Sequence, residues 1–148
     1  MNWQDYLIES PAQIRELILR TRRLAVLGIK TERQEDQPAF YVPRYLDNAG
    51  FDVIPVPVYY PDVIEILGKK VCRRLIDIPG EIDLVNVFRR PQHIEAHLED
   101  IVAKRPKAVW FQTGIRNKQA AECLAKTGIY VVQDRCLMVE HRMAISNS

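Results

Sequence analysis

The sequence predicts an α/β domain built on a parallel sheet, and three observations carry that expectation. Short apolar runs bounded by glycine or proline alternate with longer segments of helical periodicity. The first alternation, residues 24–56, reads as strand, helix, strand, a unit whose crossover is right-handed and whose strands are therefore parallel. The runs are apolar at consecutive positions, as in Leu24-Ala25-Val26-Leu27, the pattern of strands buried on both faces.

Each element follows in order. Ser10-Pro11 supplies an N-cap and a proline at the first helical position, and Ile14, Leu17 and Ile18 recur at helical spacing, so a leading helix runs through Arg22. Residues 24–28 form the first strand. Residues 30–37 are a polar loop, and Pro38 opens a second helix that carries Tyr41, Val42, Tyr45 and Leu46 and stops at Gly50. Residues 51–56 form the second strand, and Pro55, Pro57 and Pro61 end it in a rigid extended loop, because proline fixes φ and cannot donate to a ladder. Residues 65–74 read as a short extended piece and one helical turn. Residues 82–88 make the third strand, 92–104 a helix with Ile94, Leu98, Ile101 and Val102 inward, and 107–111 the fourth strand. Asn117 caps a helix ending at Gly128, residues 129–132 form the fifth strand, and residues 137–143 a closing helix. The sum is a three-layer Rossmann-like fold, a parallel five-stranded sheet with helices on both faces, in the expected strand order 3-2-1-4-5. One domain over residues 1–148 is expected, with residues 1–22 as its leading helix.

Composition narrows the function. At 148 residues, with 47% hydrophobic and 27% charged, the chain can bury one core without disulfides or metals. No apolar run approaches the roughly 20 residues that span a bilayer, and no basic segment with a hydrophobic stretch opens the chain. A cytoplasmic protein with no membrane partner is expected. Cys72, Cys123 and Cys136 are odd in number and scattered, so reduced thiols are expected. A net charge of +2 without a Lys/Arg block and interleaved aromatics argues against nucleic acid.

In an open parallel sheet the binding crevice lies beyond the carboxyl ends of the strands, where strand order reverses. The first strand is followed by Gly28-Ile29-Lys30 and Arg33, the second by Pro55-Val56-Pro57, and the third by Arg89-Arg90 after Phe88. Gln112-Thr113-Gly114-Ile115-Arg116-Asn117 follows the fourth, and Gln133-Asp134-Arg135-Cys136 the fifth. Four of the five ends carry a basic side chain, which suits a ligand with several phosphates. Solvated arginines, or arginines paired with acids such as Asp134, are the alternative. One glycine in the first loop gives neither GxGxxG nor GxxxxGK[ST], and no acid ends the second strand, which speaks against a dinucleotide or ATP.

Other constellations carry less. His93 and His97 stand four apart with Glu95 between them, but the glutamate is misplaced for HExxH and no third ligand is near, so a solvated helix face is expected. Cys136 beside Arg135, with His141 as partner, has the makings of a lowered-pKa thiol. An inert buried cysteine is the competing reading.

Taken together, Ala25-Val26-Leu27-Gly28, Tyr41-Val42-Pro43-Arg44-Tyr45-Leu46, Gly50 to Val56, Val85-Asn86-Val87-Phe88-Arg89-Arg90, the stretch from Val109 to Asn117 and that from Val132 to His141 resemble the small bacterial CoA-binding proteins. These are free-standing relatives of the CoA-binding domain of succinyl-CoA synthetase. The resemblance implies a Rossmann-type fold with coenzyme A across the strand ends. It would place Gly28, Ile29 and Lys30 at the diphosphate, Pro55, Val56 and Pro57 at the adenosine, and Phe88 and Arg89 in the middle. Gln112, Gly114, Ile115 and Asn117 would meet the pantetheine; Arg33, Arg90 and Arg135 are candidate phosphate contacts by their place at the strand ends, not by the resemblance. Where the family carries PVNP this chain has Pro55-Val56-Pro57-Val58, and its first loop holds Glu32, Glu35 and Asp36, which Lys30 and Arg33 offset.

Three functions fit these observations: a CoA or acyl-CoA binding module without catalysis, an enzyme acting on a CoA thioester through Cys136 or His141, and a regulatory or scaffold protein with a vestigial pocket. Homodimerisation is compatible with each.

Overall fold

The computed structural model describes residues 2–146. Its five-stranded parallel sheet comprises β1 (Arg23–Leu27), β2 (Asp52–Val56), β5 (Leu84–Val87), β6 (Ala108–Phe111) and β7 (Tyr130–Val132), and a hairpin of β3 (Glu65–Ile66) and β4 (Lys69–Lys70) lies outside β2. The helices are α1 (Pro11–Arg20), α2 (Pro38–Asn48), α3 (Glu95–Lys104), α4 (Lys118–Lys126) and α5 (Leu137–Ser146). Strand side chains alternate between the two cores. Leu24, Val26, Leu84 and Trp110 pack with α1, α2 and α5, whereas Ala25, Leu27, Val85 and Phe111 pack with α3 and α4. This is the three-layer arrangement the sequence predicts.

The strand order differs from expectation. It runs β2-β1-β5-β6-β7, so the third predicted strand lies beside the first and not beyond the second. Proline chemistry gives the reason. In β2 the Val56 carbonyl accepts the Gly28 N–H, so that residue faces β1, whereas the Pro55 carbonyl faces outward and accepts from Cys72 N. A parallel strand on that outer edge would need an N–H that Pro55 lacks. On the other side, the Asp83 carboxylate accepts the backbone N–H groups of Arg22 and Arg23, both at 2.9 Å, and ties the start of β5 to the start of β1.

Smaller differences follow local chemistry. The leading helix ends at Arg20, and a 3-10 turn, Trp3–Tyr6, precedes it. Ile8 N donates to Val131 O at 2.9 Å, which lays the leading segment along the outer edge of β7. Ser10 and Asn117 cap α1 and α4 as predicted. The stretch 65–74 holds the β3–β4 hairpin, and its helical turn falls later, at Leu75–Asp77. The 92–104 helix divides into a 3-10 turn, Pro91–His93, and α3. Among the described residues, no helix is long and apolar enough to cross a membrane.

Candidate functional site

With β5 beside β1, chain order reverses between these two strands, and the crevice opens there and not between the first and fourth. The backbones meet closely. Phe88 N donates to Leu27 O at 2.8 Å, and an ideal Cβ on Gly28 would lie 2.4 Å from Phe88 O. Above this contact lies a cavity of about 900 Å³, rimmed by the first turns of α2 and α5.

Seven of the predicted residues line it: Lys30, Phe88, Arg89, Arg90, Gln112, Gly114 and Ile115. The rest lie elsewhere. Gly28, half-buried, makes the close contact beneath, and Ile29 next to it is buried in the core at 1% exposure. Pro55, Val56 and Pro57 are buried and do not line the cavity, and Arg33 is exposed on the 3-10 turn Glu32–Gln34. Asn117 serves structure: its Oδ1 accepts Ala120 N, and its Nδ2 donates to Pro91 O and Glu95 Oε1. That last bond holds the Glu95 carboxyl below the usual range. Arg135 turns to a separate cleft of about 250 Å³, where it reaches Glu140 and the Glu9 carbonyl.

The cavity is electrostatically one-sided. Lys30, Arg89 and Arg90 line it, and no Asp or Glu does among the described residues. The Lys30 ammonium is held by the Gln37 side chain. Its backbone N–H donates at 3.0 Å to Ala39 O inside α2. That carbonyl is available because the residue four positions on is Pro43, which has no N–H to give it.

Arg89 is fixed by two partners. Its Nε–H donates to His97 Nε2 at 3.1 Å and its Nη1 to the Tyr59 hydroxyl at 3.2 Å, with the guanidinium 5.4 Å from the Tyr59 ring centroid. Accepting that bond makes His97 a neutral imidazole with its proton on Nδ1. Burial first, and then the Arg89 charge, hold its pKa below the usual histidine value. The Arg89 hydrogen bond, and next its charge, lower the Tyr59 phenol pKa.

The opposite wall is held by amide contacts. Gln112 is 4% exposed and accepts Leu137 N, the first N–H of α5, at 3.1 Å. Gly114 N donates to Asp134 Oδ1 at 2.6 Å, the leading cause of that carboxyl's lowered pKa. Phe88, Ile115, Met138 and Val139 give this side apolar surface, and the half-buried Cys136 stands among them. The Cys136–His141 pairing weighed from sequence is not formed by the hydrogen bonds present: His141 Nδ1 lies 2.8 Å from the Tyr45 hydroxyl, and His141 does not line the cavity.

Sequence reasoning missed Tyr59, Gln37, Tyr41 and the start of α5. Pro38 at a helix start was a usable signal, since helix N-termini rim such crevices. Tyr59 gave none, lying between Pro57 and Pro61 in the loop that ends the second strand. His93 lines the cavity and His97 sits behind it. No cluster of three or more His, Cys, Asp or Glu side chains among the described residues could hold a metal.

The sheet order defines an α/β domain of the Rossmann-like class, with a cationic crevice at its switch point. Residues 22–142 match the CoA-binding domain family, and the chain belongs to it. It is 34% identical over 132 residues to the uncharacterized protein YneT of Bacillus subtilis (strain 168), covering 89% of this chain and 94% of that protein. Among solved structures, cell-free ID.343 from Thermus thermophilus superimposes with a TM-score of 0.83 at 37% identity, over 92% of this chain and 99% of that one. Acetyl-coenzyme A synthetase 1 of Ca. Korarchaeum cryptofilum shares the fold at a TM-score of 0.62 and 18% identity, over 74% of this chain and 25% of that one.

Proposed function

We propose that this protein binds coenzyme A or an acyl-CoA in the cavity between β1 and β5 and performs no chemistry on it. The observation that carries the reading is a cavity of about 900 Å³ lined by three cations and, among the described residues, no carboxylate. Membership of the CoA-binding domain family supplies the ligand class. Phosphates would lie against Lys30, Arg89 and Arg90, where charge-assisted and bidentate contacts are available. The pantetheine arm would run over Ile115, Met138 and Val139 toward Cys136. Gln112 is engaged by the α5 N-terminus and would shape this wall. The adenosine would lie near Tyr59 and not against Pro55, Val56 and Pro57, which are buried.

Isothermal titration with CoA and acetyl-CoA tests the reading. One site of micromolar affinity, weakening as salt screens the phosphates, is expected. The absence of binding at tens of micromolar by protein that is folded by circular dichroism would refute it. Release of free thiol from acetyl-CoA during the same incubation would instead favour an enzyme.

A further inference from the structure

The loop between β2 and the β3–β4 hairpin reaches the cavity at one side chain, Tyr59, whose ring lies under the Arg89 guanidinium. Little apolar burial holds that side chain, which is 59% exposed. Tyr60, next to it, has a φ of 62°, a left-handed conformation that an aromatic L-residue adopts only when its surroundings impose it. The restraint comes from outside the cavity. Arg73, just past β4, donates from Nη1 to Tyr59 O at 3.2 Å, and from Nη2 to Tyr60 O at 2.9 Å, Pro61 O at 3.3 Å and Val63 O at 2.5 Å. The segment that carries Arg73 is itself anchored, through Val71 N to Ile64 O and Cys72 N to Pro55 O, both at 3.0 Å.

We infer that Arg73 is a positioning residue for the ligand cavity: by gathering the carbonyls of residues 59–61 and 63 around one guanidinium, it holds Tyr59 against Arg89 and thereby sets the geometry of the cationic rim. The inference rests on the cavity being the CoA site. A planar fork with fixed donors suits the task, because carbonyls on one side of a turn otherwise repel one another and open the loop. The hairpin also reaches the loop after β1, where Leu67 N donates to Glu32 Oε2 at 2.8 Å. Both loops that bound the cationic side are thus joined through the same short insertion.

The test combines CoA titration with a ligand-free measurement on Arg73→Ala, Arg73→Lys, Tyr59→Ala and the Arg73→Ala/Tyr59→Ala double variant. Arg73→Ala is expected to weaken CoA binding about tenfold, the effect of losing one oriented arginine contact. In the Tyr59→Ala background the same change should add nothing, because two residues acting through one contact are not additive. Arg73→Lys keeps a cation, loses the fork and should fall between; it serves if the alanine variant fails to fold. Without ligand, the Tyr59 phenol is followed by ultraviolet difference titration against Tyr59→Phe in each background. Its ionisation should move up toward ordinary tyrosine when Arg73 is replaced, since Arg89 then loses its hold on the phenol. Wild-type affinity in Arg73→Ala, a loss that multiplies with that of Tyr59→Ala, or an unmoved phenol would each overturn the inference. If wild-type protein fails to bind CoA, the binding reading falls, and the phenol titration still decides what Arg73 does.

Discussion

An ideal Cβ on Gly28 would stand 2.4 Å from the Phe88 carbonyl oxygen, and the φ of +89° at this position is one that L side chains rarely adopt. The two nearest atoms, Phe88 O and Phe88 C, are backbone and cannot swing aside as the third, Arg89 Cδ at 3.3 Å, could. Gly28→Ala is therefore expected to cost about 3 kcal/mol of folding stability, combining backbone strain with overpacking. It should also widen the β1–β5 crevice and weaken CoA binding. Chemical denaturation beside titration measures both, and a variant as stable as wild type would show that the close approach is dispensable. This constraint was half legible. A glycine closing an apolar run was read as a strand end, but the partner that forbids a side chain, Phe88 O, lies 60 residues away along the chain. Arg89 was legible as a basic strand-end residue, whereas its fixed orientation depends on Tyr59 and His97, which no spacing relates to it.

At the scale of elements, α2 couples two functions through Pro43. An interior proline weakens a helix by leaving a carbonyl unbonded, and here that carbonyl, Ala39 O, accepts Lys30 N from the loop after β1. Pro43→Ala restores an internal donor that competes for Ala39 O. The expected outcome is a melting temperature equal to or above that of wild type together with a several-fold loss of CoA affinity, as the Lys30 loop comes free. Thermal denaturation and titration on one preparation check it; a variant that binds normally would detach Lys30 placement from α2. The loop 30–37 was legible as polar and irregular. Its inner order, a Thr31–Gln34 capping box on a 3-10 turn, is a short-range match that charge composition concealed.

For the whole molecule, the position of β5 decides where the crevice lies, and Asp83 secures it. Burial acts to raise the Asp83 carboxyl pKa, but the N–H groups of Arg23 and Arg22, with Lys107, outweigh it and hold the group below the ordinary carboxylate value. A carboxyl with a depressed folded pKa contributes stability that is fully present above its unfolded pKa of about 3.9 and is lost as pH falls through the folded value. Asp83→Asn should thus lower stability by about 1–2 kcal/mol at neutral pH through loss of charge-assisted bonds. The gap to wild type should close as the pH falls below about 4. Urea denaturation across pH 3–8 reads this directly, and a gap that stays constant into acid would show that the charge is not what ties β5 to β1.

The sequence by itself determined the five sheet strands, the five long helices and the parallel sense of the sheet, because apolar runs, helix caps and proline positions are written in neighbouring residues and act locally; the β3–β4 hairpin and the 3-10 turns were not read from it. It also placed basic groups at the strand ends, and three of them, Lys30, Arg89 and Arg90, share one cavity with Phe88, Gln112, Gly114 and Ile115. Strand order was decided only by tertiary structure: Pro55 withholds a donor from one edge of β2, and Asp83 fastens β5 to the free edge of β1. Those contacts join residues far apart in the chain, and they settle which strand ends face one another. Arg135 and Asn117 sit at strand ends yet point into a different cleft and a helix cap, because side-chain direction follows from packing that no local pattern encodes.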